Sequence, residues 1–221
     1  EPNPDKWWPR RALDWLYLMA KSFFDNEIKA SVKSGNYLAD TTAAPLAQTE
    51  INNISEVITR FVRAYDSQDN AKANALIHPE LGITIIYRPG ASDRFVHVDS
   101  LDFQKSIPEY YPYSKVENSY ALTFGSLPTY DCGTEKWSKE GLICDTTASQ
   151  QTSILTSIAQ FEAEFDAVAL DDNRKTIISN AEENSYRVIL TTSNPLVFHV
   201  KQYQGAWYVA LLDRAYAGCD A

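Results

Sequence analysis

The C-terminal run from Ser185 to Arg214 constrains the fold of this chain more than any other feature. Its apolar pattern predicts three consecutive antiparallel strands, at Ser185–Thr192, Leu196–Tyr203 and Ala206–Arg214. Residues 204–205 are the predicted turn of the last hairpin, because glycine at 205 takes the positive φ that a two-residue turn needs. The sequence therefore predicts an antiparallel sheet at this end of the chain.

Counting outward from that turn divides the two last strands into two faces. The pairs predicted on one face are Val200–Val209, Phe198–Leu211 and Leu196–Asp213. The pairs predicted on the other face are Lys201–Tyr208, His199–Ala210 and Val197–Leu212. Both faces are partly apolar, which is typical of a curved sheet covered on one side and lining a cavity or a contact on the other.

Helical and strand patterns precede this run. Helices are predicted at about Thr49–Tyr65, after Asp69 as an N-cap, near Leu101–Ile107 and at about Thr152–Phe165. Further strands are predicted at Ile83–Tyr87, Arg94–Val98 and around Ser119–Phe124. We therefore predict an α+β fold in which a curved antiparallel sheet packs against helices.

Two regions are expected along the chain. Residues 1–48 are predicted to be a helical extension and linker, whose helix carries the aromatic patch of Trp7, Trp8 and Trp15. Residues 49–221 are predicted to form the α+β domain, with an inserted loop around residues 127–151.

Charge and hydropathy limit the classes of partner that this chain is expected to have. The chain has 29 acidic and 20 basic side chains, a formal net charge of −9, so we expect no nucleic-acid partner. No stretch approaches the roughly 20 apolar residues of a membrane-spanning helix, and we expect no membrane span. The first residue is Glu1 rather than methionine, as expected after removal of a signal peptide. We therefore expect an exported protein, periplasmic or extracellular.

The three cysteines leave two interpretations open. Cys132 and Cys144 bracket a loop whose length suits a local disulfide, which would stabilise the fold by about 3 kcal/mol. Cys219 would then be the odd thiol, and the alternative is three reduced, unrelated thiols. The sequence has no Cys-x-x-Cys motif and no glycine-rich phosphate loop, so we expect neither a metal site nor a nucleotide cofactor.

The segment from Phe61 to Pro79 resembles the opening of the nuclear transport factor 2-like superfamily, in which a long helix ends in a polar break and an Asp starts a short helix. The last hairpin, Val197 to Arg214 with Gly-Ala-Trp-Tyr at its turn, is similar to the closing strands of that fold. The resemblance covers residues 49–126 and 184–214. It implies a cone, a curved sheet wrapped around helices with an internal pocket. The remaining segments look like additions found in uncharacterised secreted bacterial members.

Ionisable and aromatic side chains that would face such a pocket are the candidate ligand-binding residues: Tyr65, Tyr87, His97, His199, Tyr208 and Asp213. His199 and Tyr208 share one predicted sheet face, where a His–Tyr pair acts as an acid and base or binds a polar ligand. The alternative for each histidine is a hydrogen-bonded structural role. No nucleophile elbow of the Gly-x-Ser-x-Gly type supports a Ser-His-Asp site.

These observations favour an exported, non-enzymatic binding domain for a small molecule or a protein. One alternative is a pocket enzyme, an isomerase or hydrolase that uses His199 or Asp213. Another is an interaction module that forms a homodimer or docks through the Trp-rich N-terminal helix. The tyrosine cluster Tyr110, Tyr111 and Tyr113 is either an aromatic binding surface or a loop packed over the sheet.

Overall fold

The structure is a computed structural model that describes residues 46–146 and 153–216. The chain divides into two units, Glu1–Thr41 and Thr42–Ala221, and every described element belongs to the second. The predicted N-terminal helix, with Trp7, Trp8 and Trp15, lies outside the described residues.

The described residues contain four helices and nine strands. The helices are α1 (Gln48–Asp66), α2 (Asn70–Asn74), α3 (Ile154–Phe165) and α4 (Asp172–Glu182). The strands before α3 are β1 (Ile83–Tyr87), β2 (Arg94–Val98), β3 (Leu122–Phe124), β4 (Tyr130–Asp131), β5 (Lys136–Trp137) and β6 (Leu142–Cys144). The strands after α4 are β7 (Ser185–Leu190), β8 (Leu196–Tyr203) and β9 (Ala206–Asp213).

Seven of these strands form one sheet in the order β2-β1-β9-β8-β7-β6-β3, while β4 and β5 form a separate hairpin. The fold is therefore α+β, as predicted. The sheet is mixed rather than antiparallel throughout, because β1 runs parallel to β9 and β3 runs parallel to β6. Both parallel pairs join strands that are far apart in sequence, and local patterns do not reveal such pairs.

The predicted register of the last hairpin is correct only near its turn. Gln204 and Gly205 both have positive φ, 50° and 83°, and the pairs Lys201–Tyr208 and Val200–Val209 form as expected. A β-bulge between His199 and Val200 then shifts the register by one residue. Beyond it His199 pairs with Leu211, Phe198 with Leu212 and Val197 with Asp213. The predicted pairs Phe198–Leu211, Leu196–Asp213, His199–Ala210 and Val197–Leu212 are therefore wrong.

Both faces of the sheet are covered. On one face α1 packs its apolar stripe, including Ile54, Ile58 and Phe61, against sheet residues such as Phe198 and Leu212; we call this the α1 core. On the other face α3 and α4 bury a smaller α3/α4 core, whose members are Ile86, Phe95, Leu155, Ile158, Ala159, Ile178, Ala181 and Leu211. Because of the bulge, Leu212 lies in the α1 core and Leu211 lies in the α3/α4 core.

The helix predicted near Leu101–Ile107 does not form, and asparagine side chains of α2 bind the start of this segment instead. The side chain of Asn74 donates to the carbonyl of Leu101 and accepts from its amide, both at 2.8 Å. The side-chain oxygen of Asn70, Oδ1, accepts from the Phe103 amide at 2.8 Å. These bonds hold the start of the segment against α2, and residues 101–107 form turns rather than a helix. The cap predicted at Asp69 is confirmed, since its carboxylate accepts from the Lys72 amide at 3.0 Å.

The predicted disulfide between Cys132 and Cys144 is wrong. Cys144 carries a free thiol that is completely buried in the α1 core at the end of β6. Cys132 lies in the exposed turn between β4 and β5. Because the Cys144 thiol is free and enclosed in the α1 core, it is not bonded to Cys132. Cys219 lies outside the described residues.

Candidate functional site

Aromatic side chains pack together in the α1 core, between helix and sheet. The Tyr65 ring meets Phe103 edge-on at 5.3 Å between centroids, and Phe61 lies 4.8 Å from Phe198. Tyr113 contacts both Tyr65 and Phe103. Burial raises the pKa of the Tyr65 hydroxyl, which keeps it neutral. Tyr65 is thus a member of a close-packed aromatic cluster.

A buried polar cluster occupies the opposite face, next to the α3/α4 core. It consists of Ser185 and Arg187 on β7, His199 on β8 and Asp213 on β9. His199 is 0% exposed, and its Nδ1 lies 3.1 Å from the Ser185 hydroxyl oxygen. Arg187 donates through Nη2 to the Asp213 carboxylate at 2.7 Å. The bulge makes this possible, because it turns Asp213 to the face that holds His199.

The hydrogen bonds around Ser185 define the state of His199. The Ser185 hydroxyl donates to the Glu182 carbonyl at 2.9 Å, so it accepts a hydrogen bond from Nδ1–H of the imidazole. His199 Nε2 is then an acceptor, and it is buried without a partner in the described part of the chain. Burial, together with the positive charge of Arg187, lowers the pKa of His199 from 6.5 to about 3. The imidazole is therefore neutral at physiological pH.

Asp213 is equally enclosed. It is 5% exposed, its Oδ1 accepts from the Ala215 amide at 3.0 Å, and Arg187 holds the other oxygen. Burial raises the pKa of its carboxyl group, while Arg187 and these hydrogen bonds oppose that rise. A carboxylate committed to an arginine and a backbone amide orients the end of β9. These contacts are those of a residue that stabilises the fold.

The remaining candidates lie apart from this cluster. His97 on β2 contacts the Thr84 hydroxyl through Nδ1 at 3.3 Å, and burial lowers its pKa. Tyr208 packs edge-on against His78 at 4.9 Å between ring centroids. Among the described residues no hydrogen bond joins Tyr208 to His199. Tyr87 ends β1 opposite Arg94. The structure therefore brings His199 and Asp213 to one cluster, and the other four predicted site residues lie in separate environments.

Two buried carboxylates on the α3/α4 side were not among the predicted residues. Glu162 is 5% exposed and pairs with Arg94 at 3.4 Å and with Arg174. Glu182 accepts hydrogen bonds from the Leu155 amide and, at 3.2 Å, from the Thr156 hydroxyl at the start of α3. The sequence does contain a signal for Glu162, since it follows Ile158 by four residues on the buried stripe of α3.

Arg214 holds the tyrosine-rich loop. Its guanidinium donates to the carbonyls of Ile107, Tyr111 (2.6 Å) and Pro112 (2.8 Å), and it lies 4.3 Å from the centre of the Tyr111 ring. Tyr113 is buried beneath it, whereas Tyr110 is 67% exposed. The loop is therefore anchored at the end of β9 through Arg214 and Tyr113, while residues 109–112 remain exposed.

Three clefts lined by described residues open at the surface, and two of them reach core residues: Ile178 in one, and Val62 and Leu142 in another. A cleft of about 570 Å³ between α3 and α4 includes Thr156, Lys175 and Glu182 in its wall. A second, of about 430 Å³, lies beside α1, and a third, of about 680 Å³, has Trp137, Glu117 and Glu140 in its wall. Asn118, Ser119 and Tyr120 line both of the last two. The walls described for these clefts are formed by residues other than the six candidates.

Comparisons with protein-family models, curated proteins and solved structures found no match to this chain. Among the described helices, none combines the length and the apolar character needed to cross a bilayer.

Proposed function

We propose that this protein is a non-enzymatic binding domain with a cone-like architecture of the nuclear transport factor 2-like type, and that it binds its ligand at its surface. The observation that carries the proposal is the fate of the acid–base candidates. His199 and Asp213 are buried in separate hydrogen-bonded pairs on one sheet face, and Tyr65 is packed in the core on the other. Export stays a prediction from the sequence.

The chemistry of these groups supports binding over catalysis. General acid–base catalysis needs a group within hydrogen-bond reach of substrate and with a pKa near the working pH. His199 has a pKa of about 3 and its Nδ1 is engaged by Ser185. Asp213 is engaged by Arg187 and by the Ala215 amide. The clefts offer hydroxyl, amide and aromatic groups beside charged side chains such as Arg63 and Glu140, and this mixture is suited to holding a polar ligand.

The architecture has its own support. A long helix, α1, lies against a sheet whose central strands are the C-terminal ones, and the short helix α2 follows after the Asp69 cap. The hairpin β1–β2 comes next and joins β9 at the sheet edge. This order agrees with the pattern that the resemblance implies.

A binding screen with a turnover control tests the proposal. The full chain is scanned by thermal denaturation with a panel of neutral oligosaccharides, basic and acidic peptides and fatty acids, since a ligand at 100 times its Kd stabilises by about 2.7 kcal/mol. We expect a stabilising ligand that mass spectrometry recovers chemically unchanged. Conversion of any panel compound that is abolished by both His199→Asn and Asp213→Asn, in variants shown to stay folded, would establish the pocket enzyme instead.

A further inference from the structure

Helix α3 exposes a second apolar face. Phe161 and Phe165 are 41% and 65% exposed, Val168 just beyond the helix is 38% exposed, and the two phenyl rings lie 4.6 Å apart. We call Phe161, Phe165 and Val168 the α3 patch. Large apolar side chains that cluster in solvent mark interaction surfaces, whereas single exposed ones do not.

The patch is not part of the face that anchors the helix. The sheet-facing stripe of α3 is formed by Leu155, Ile158 and Ala159, which are buried in the α3/α4 core. The sequence pattern places Ile158, Phe161 and Phe165 on one stripe, but the structure separates the last two from the core. A helix that is apolar on two sides is expected to be covered on both.

The charges near the patch indicate the kind of partner that would cover it. Acidic side chains are interleaved with the apolar ones along the chain: Glu164, Asp166, Asp171 and Asp172. Asp166 pairs with Arg94 at 2.5 Å, Asp171 accepts from the Arg174 amide at 2.8 Å, and Asp172 pairs with Lys175 at 2.9 Å although its side chain stays 98% exposed. Glu164 is exposed and makes no hydrogen bond or ion pair within the described residues. A second copy of the chain would bring the same carboxylates against each other, which is unfavourable, while a basic partner neutralises them.

We propose that the α3 patch is the docking site for a protein segment whose apolar face is flanked by lysine or arginine. This inference rests on the proposed function as a binding domain and names its partner class. The apolar side chains of the partner cover Phe161 and Phe165, and its cations meet Glu164 and its acidic neighbours. Acidic side chains beside an apolar centre give both affinity and selection against acidic partners.

Fluorescence anisotropy of a labelled amphipathic leucine–lysine peptide, titrated with the full chain, tests the inference. We expect saturable binding that weakens with salt and falls at least tenfold in Phe165→Ser and in Phe161→Ser. Tyr110→Ser is the matched control, because Tyr110 is a 67% exposed aromatic on another loop, and it should bind as the wild type does. Equal melting temperatures of the variants show that the fold is intact.

Several outcomes overturn the inference. Absence of saturable binding does so, as does binding that Phe165→Ser leaves unchanged, or equal affinity for a leucine–glutamate peptide of the same pattern. Self-association that sedimentation detects and Phe165→Ser abolishes would assign the patch to a second copy. Any of these leaves the proposed function standing if another ligand binds unchanged elsewhere. If the chain converts a ligand chemically and this conversion depends on His199 and Asp213, the proposed function is overturned. The peptide titration then still tests the α3 patch by itself.

Discussion

Replacement of His199 should remove a component of the acid sensitivity of this fold. The imidazole is completely buried, and burial with the Arg187 charge lowers its pKa from 6.5 to about 3. In the unfolded chain the same imidazole has its ordinary pKa. Below pH 6.5 it is therefore protonated in the unfolded state but stays neutral in the native state. The stability linked to His199 is therefore fully present above pH 6.5 and is lost as the pH falls toward 3.

The size of the effect follows from this difference. Each pH unit over which only the unfolded state is protonated costs about 1.4 kcal/mol. Between pH 7 and pH 4.5 the free energy of unfolding should fall by about 2.5 kcal/mol on account of His199 alone. His97 contributes in the same direction, because burial also lowers its pKa. Asp213 and Glu182 contribute in the opposite direction, because burial raises their pKa values.

The difference between wild type and His199→Asn isolates this contribution, because the other groups are common to both. Asn keeps a polar group near the Nδ1 position that meets Ser185. Urea unfolding followed by circular dichroism at intervals from pH 7.5 to 4.5 should give a steeper decline for the wild type. Ser185→Ala is the control, since it removes the hydrogen bond and keeps the imidazole buried, so it should lower stability while retaining the steep decline. Parallel curves for wild type and His199→Asn would refute the reasoning.

Three further changes test the packing around the site. Asn74→Ala should lower the free energy of unfolding by about 2–3 kcal/mol in urea titrations, because it leaves the Leu101 amide and carbonyl without partners, whereas Asn173→Ala on the exposed surface of α4 should change little. Burial raises the pKa of the Cys144 thiol to about 12, so iodoacetamide should modify Cys144 only at the rate of unfolding; rapid labelling of the native protein, located by peptide mass spectrometry, would contradict its burial. Arg214→Lys should cost about 2 kcal/mol and expose the segment 107–113 to proteolysis, because a single ammonium nitrogen cannot replace both Nη1 and Nη2 of the planar guanidinium or stack on Tyr111; an unchanged cleavage pattern would mean that other contacts hold the loop.

Local patterns predicted the elements that bury one clear stripe. The strands Ile83–Tyr87, Arg94–Val98 and Leu196–Tyr203 occur at the predicted bounds, because alternation and flanking turn residues specify them. Helix α1 runs from Gln48 to Asp66, close to the predicted Thr49–Tyr65, since its apolar residues repeat at helical spacing. These elements are specified by their own residues.

Elements that depend on distant partners were missed or misread. Helix α4 was not predicted, because only Ile178 and Ala181 among its apolar residues are fully buried and its start depends on the Asp171 cap, which accepts from the Arg174 amide at 2.8 Å. The helix expected near Leu101 is replaced by hydrogen bonds from asparagine side chains of another element. Neither signal is visible in a local window.

At the candidate site, one extra residue in β9, the bulge beside His199, made the prediction from local sequence fail. The bulge beside His199 leaves Ala210 unpaired and moves Leu212 into the α1 core and Leu211 into the α3/α4 core. It also places Asp213 on the face of Arg187, where the two form an ion pair. A bulge has no strong sequence signature, so counting from a correct turn put every residue beyond Val209 on the wrong side. The same shift encloses Asp213 on the face where His199 is buried. The hairpin that was expected to line an acid–base pocket therefore forms a buried, hydrogen-bonded part of the framework.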